Sequence, residues 1–87
     1  HDPRYIKPDA WYGRMTLENV SRLFALTKTD PIAEQFFGAF QVIKDAGRLM
    51  WLDHKDAQQG VGYLASKDVF SAQEAVFMLS DSKASEV

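Results

Sequence analysis

From Leu17 onward the apolar residues Leu17, Val20, Leu23 and Phe24 recur at the spacing of one helical face, while Glu18, Asn19 and Arg22 lie elsewhere on the circumference. Thr16 is the natural cap of this helix. The segment Thr27-Lys28-Thr29-Asp30 then offers a tight link and a second cap before Pro31, a residue suited to the first helical position. Two helices so closely joined cannot run collinear through Pro31, so they must cross. In the second helix Ile32, Ala33, Phe36, Phe40 and Ile43 form a wide apolar stripe, and Gly47 suits its end. Phe37 falls at the edge of the stripe, where it serves either the core or an interface.

Beyond Gly47 the period changes. Leu49, Met50, Trp51 and Leu52 are apolar on both faces, which predicts a short buried strand, and GVGYLAS from Gly60 to Ser66 alternates as a second strand would. The polar stretch DHKDAQQ between them is then a hairpin loop. A helix over residues 54–66 is the competing reading, because Ala57, Val61, Leu64 and Ala65 also share helical spacing. Gly60 and Gly62 would together cost about 2 kcal/mol in such a helix, which favours the hairpin. Ser71 and Glu74 make a capping box ahead of a last helix striped by Ala72, Ala75, Val76 and Leu79, with Phe77 and Met78 on its flanks.

Residues 1–14 carry two prolines and a glycine without helical period, so they predict an extended arm with one turn at Pro8 to Tyr12. Tyr5, Ile6, Trp11 and Tyr12 give that arm something to pack with: its own domain, a second subunit or a ligand. The expected organisation is an arm over 1–14, a folded domain over 15–80 and a flexible tail over 81–87.

Composition narrows the class. The 87 residues are 46% hydrophobic and 13% aromatic, too apolar for disorder and richer in aromatics than so small a core requires. No cysteine is present, which excludes disulfides, thiolate zinc sites and a cysteine nucleophile. No apolar run approaches the roughly 18 residues of a membrane span, so a soluble, cytoplasmic protein without membrane contact is expected. The net charge is −2, yet residues 1–28 hold five cations against three carboxylates, leaving +2 there and −4 in the remainder. That asymmetry permits a basic binding face.

Taken in order, helix, tight turn, helix, strand, polar loop and strand over residues 16–66 resemble the winged helix-turn-helix superfamily. The likeness is carried by TLENVSRLFALTKTDPIAEQF, FQVIKDAGRLMWL and DHKDAQQG. It implies an α+β, winged-helix-like fold with two crossed helices, a β-hairpin and a C-terminal helix. It further implies that the second helix reads the major groove while the wing touches the DNA backbone. Carried onto this chain, Lys28, Thr29, Glu34 and Gln35 face the groove and His54 and Lys55 sit on the wing, with Arg14 among the arm's cations for phosphates. Asp30 and Glu34 are unfavourable beside phosphates.

For catalysis the chain is poorly provided. His54 is the one credible general base, and with Asp53 and Asp56 it falls short of a metal ligand set. No phosphate loop, nucleophile elbow or HExxH helix is present. The expected function is therefore a non-enzymatic binding module without cofactor or metal, foremost a DNA-binding transcriptional regulator acting as a homodimer. The alternative is a protein-interaction or oligomerisation domain of the same architecture, with Trp11, Tyr12, Phe37, Phe77 and Met78 as its aromatic and apolar interface.

Overall fold

The computed structural model describes residues 1–87 and assigns an α+β fold of five α-helices and one two-stranded antiparallel sheet. Strand β1 (Tyr5–Ile6) leads into α1 (Pro8–Tyr12), followed by α2 (Leu17–Thr27) and α3 (Pro31–Asp45). Strand β2 (Met50–Trp51), α4 (Lys55–Ser66), α5 (Ala72–Met78) and a single 3-10 turn (Ala84–Glu86) complete the chain.

The caps operate as their chemistry dictates. The Thr16 hydroxyl accepts from the Asn19 N–H, and the Asn19 side chain accepts from the Thr16 N–H in return. Asp30 accepts from the N–H groups of Ile32 and Ala33 at the start of α3. At its end, Gly47 takes the left-handed conformation at φ 68°, so the Gly47 and Arg48 N–H groups reach the carbonyls of Lys44 and Ile43. Ser71 and Glu74 close a second capping box on α5. Asn19 ties the two boxes together, since its buried amide donates to the Val69 carbonyl and to Glu74 Oε2.

The hairpin expected after Gly47 does not form. Residues 55–66 are helix α4, and β2 pairs instead with the N-terminal strand, Ile6 opposite Met50 and Tyr5 opposite Trp51. His54 starts α4 by accepting the Asp56 N–H on Nδ1 at 3.0 Å. Gly60 is buried on the Phe36 ring, where an added Cβ would stand 3.2 Å from Cδ1. That glycine therefore permits close helix packing rather than marking a strand. The loop that would have been a wing is thus the first turn of α4. Asp68, at φ 64°, ends α4 as Gly47 ends α3, with the Asp68 and Val69 N–H groups reaching Ala65 and Leu64.

The core gathers Ile6, Trp11, Leu23, Ala33, Phe40, Met50, Leu52, Val61, Leu64, Phe70 and Met78, so the arm, all five helices and β2 contribute to one interior. The last residues are held as well. The Ser82 N–H donates to the Pro3 carbonyl, the Lys7 N–H to the Glu86 carbonyl, and the Glu86 carboxylate pairs with Arg14. No helix is long and apolar enough to cross a membrane.

Candidate functional site

Two surfaces meet along α3. The first is a cleft of about 400 Å³ between α3 and α4, to whose lining β2 adds Met50 and Trp51. Sixteen of its twenty lining residues are hydrophobic. Its lining carries an aromatic series in which Phe37 lies 6.2 Å from Phe40, and Phe40 lies 5.3 Å from Trp11 and 6.2 Å from Tyr12, while Phe24, outside the lining, meets Phe37 edge-on at 5.4 Å. On β2, Trp51 stacks on Tyr5 at 6.3 Å and meets the His54 ring edge-on at 5.9 Å.

The second surface is the outward face of α3. Ile32, Gln35, Ala39, Val42 and Ala46 recur at intervals of three and four, all exposed, Val42 by 68%. None carries a charge. Phe36 and Ile43 flank the row on the cleft side and Gly38 and Asp45 on the other, as the 3.6-residue turn places them. Ala39 belongs to both surfaces, because it also lines the cleft.

The residues expected to touch DNA come from the α1–α2 and α2–α3 links, α3 and the start of α4. Arg14 is internal, with 5% of its side chain exposed, and all five of its N–H donors are used. Its Nε and Nη2 meet the two oxygens of Glu86 at 3.1 Å, and its remaining donors close the end of α5 on the carbonyls of Phe77, Ser80 and Asp81. Lys28 and Thr29 are exposed at the end of α2. Gln35 lies in the outward row of α3, and His54 and Lys55 begin α4. Arg4, a further cation of the arm, bridges Asp53 and Asp81 at 3.0 Å each.

The expected interface residues also divide. Trp11 is buried and donates from Nε1 to the Met78 carbonyl at 2.9 Å, and Met78 is 1% exposed. Tyr12 and Phe37 are half-buried in the cleft lining. Phe77 is exposed beneath the Arg14 guanidinium, 5.3 Å from its ring centroid. The sequence reading missed Arg48, Trp51 and Asp56 as cleft residues. Trp51 stood within the segment taken for buried strand, Arg48 just ahead of it, and Asp56 within a presumed loop.

Three carboxyl groups are held below their ordinary range by what they accept. For Asp30 the leading cause is the Tyr63 hydroxyl, followed by the Ala33 and Ile32 N–H groups. For Glu74 it is the Ser71 N–H and then the Asn19 amide, and for Glu86 it is the Arg14 guanidinium and then the Lys83 N–H. All three lie at helix caps or at the chain end, away from the cleft lining. No group of three or more His, Asp or Glu side chains gathers where a metal ion could be held.

No protein-family model matches the chain, and neither a curated protein nor a solved structure matches it.

Proposed function

We propose that the chain is a non-enzymatic interaction module that pairs with a second copy of itself through the outward row of α3. The observation that carries this reading is the uncharged, exposed row Ile32, Gln35, Ala39, Val42 and Ala46 on the longest helix of the fold. Intervals of three and four are those of a helix that packs along a partner helix. Ala39 stands at the middle of the row with Gly38 beside it, so two antiparallel copies of α3 approach most closely where their side chains are smallest. Ile32 and Val42 fill the space to either side. Antiparallel pairing also sets opposite helix dipoles side by side.

Sedimentation velocity from low micromolar to near-millimolar protein tests this. Wild-type protein should pass from monomer to dimer, and Val42→Lys should remain monomeric with an unchanged far-UV spectrum, since Val42 is 68% exposed and outside the core. A wild-type chain that stays monomeric throughout would overturn the proposal.

Duplex binding through the end of α2 and the start of α4 is the weaker reading. It rests on Lys28, Thr29 and Lys55 once Arg14 is committed to Glu86. Binding to mixed duplex that falls steeply with salt and is lost in Lys28→Ala would favour it over self-pairing.

A further inference from the structure

We propose that the α3–α4 cleft is a binding site for a small anionic amphiphile, an apolar chain lying in the cleft with one carboxylate beside β2. At about 400 Å³ the cleft is of a size that holds small ligands, and its lining is predominantly aliphatic and aromatic. Its four other lining residues are Arg48, His54, Asp56 and Gly60. Gly60 lies inside against Phe36. The three polar side chains come from the segment 48–56 on either side of β2, with His54 edge-on to Trp51 at 5.9 Å.

Their chemistry selects the head group. The Arg48 side chain makes no hydrogen bond or ion pair within the chain, although ion pairs engage Arg4, Arg14 and Arg22. The Nδ1 atom of His54 is occupied in accepting the Asp56 N–H, which in the neutral ring places the proton on Nε2. That N–H has no acceptor in the chain. Asp56, the single carboxylate of the lining, stands 3.7 Å from His54 Nδ1 in the first turn of α4. The lining beside β2 thus offers a guanidinium and an imidazole N–H without partners, and a carboxylate accepts from either. A cationic head would instead face Arg48.

The proposal does not rest on self-pairing. Decanoate, decanol and decyltrimethylammonium, titrated below their micelle concentrations and followed by tryptophan fluorescence and calorimetry, test it. Decanoate should bind saturably, about tenfold more tightly than decanol, with the cation weaker still. Arg48→Met should bring decanoate to the affinity of decanol and leave decanol unchanged. Ala57→Phe, which fills the cleft from α4, should abolish both while thermal unfolding stays cooperative. Val42→Lys, outside the cleft lining, should bind decanoate as wild type does, whatever it does to association. No saturable decanoate binding, equal affinity for the three head groups, or an Arg48→Met variant with undiminished preference for decanoate would each overturn the proposal.

Discussion

Gly60 and Gly62 stand two residues apart in α4 and meet opposite surroundings. Nothing lies within 4 Å of where a Gly62 Cβ would be, whereas a Gly60 Cβ would press on the Phe36 ring at 3.2 Å. Replacing an exposed helical glycine by alanine removes backbone freedom from the unfolded chain at no native cost, so Gly62→Ala should stabilise the protein by about 0.5–1 kcal/mol. Gly60→Val meets the opposite balance. Its branched side chain must displace Phe36 and the packing beyond it, which should destabilise by about 1–3 kcal/mol. Urea unfolding of the two variants checks the pair, and equal effects would mean that Gly60 is not a close-approach site.

At the scale of elements, caps decide both what was legible and how stability responds to pH. The starts of α2, α3 and α5 could be read because Thr16, Asp30 with Pro31, and Ser71 with Glu74 are local signals that act within four residues. Helix α4 escaped because its cap is a histidine, its terminal left-handed residue is Asp68 rather than glycine, and its buried glycine answers to Phe36 in another helix. The strand at Met50–Trp51 was legible, but its partner Tyr5–Ile6 lies more than forty positions away, beyond any local pattern. The same distance hid the cleft, which exists only once α4 replaces the presumed hairpin. Of the candidate site, Tyr12 and Phe37 were found because the surplus of aromatics pointed to them.

The caps carry a pH signature. Asp30, Glu74 and Glu86 all have lowered values in the folded state, so the folded chain binds fewer protons than the unfolded one in the acid range. Their contribution is present in full above the ordinary carboxylate range of about 4 and is lost as pH falls through the depressed folded values. The Tyr63 hydroxyl is raised by donating to Asp30, so its share persists below about 10 and is lost as pH rises through its folded value. Urea midpoints should therefore form a plateau from about pH 5 to 9 and fall on the acid side, less steeply in Glu86→Gln. Midpoints independent of pH between 3 and 5 would contradict these assignments.

For the molecule as a whole, the two chain ends hold each other. Arg4 links Asp53 to Asp81, Pro3 accepts from the Ser82 N–H at 2.8 Å, and Lys7 donates its N–H to the Glu86 carbonyl. Arg14 lies between them, its guanidinium enclosed by Glu86 and by the carbonyls that end α5. The seven residues 81–87, read as a flexible tail, therefore supply the carboxylate that neutralises a nearly buried charge. Removing them leaves that guanidinium with carbonyls alone, a loss of about 3 kcal/mol, given that Glu86 is itself slightly exposed. In a domain of this size each kcal/mol moves the melting temperature by about 4–8 °C, so deleting residues 82–87 should lower Tm by at least about 10 °C. Glu86→Ala should reproduce most of that fall, because the unpaired Arg14 and not the missing backbone dominates it. Circular dichroism melts of both variants distinguish the cases. A drop of less than about 3 °C in each would mean that the last residues contribute no more than solvated surface does.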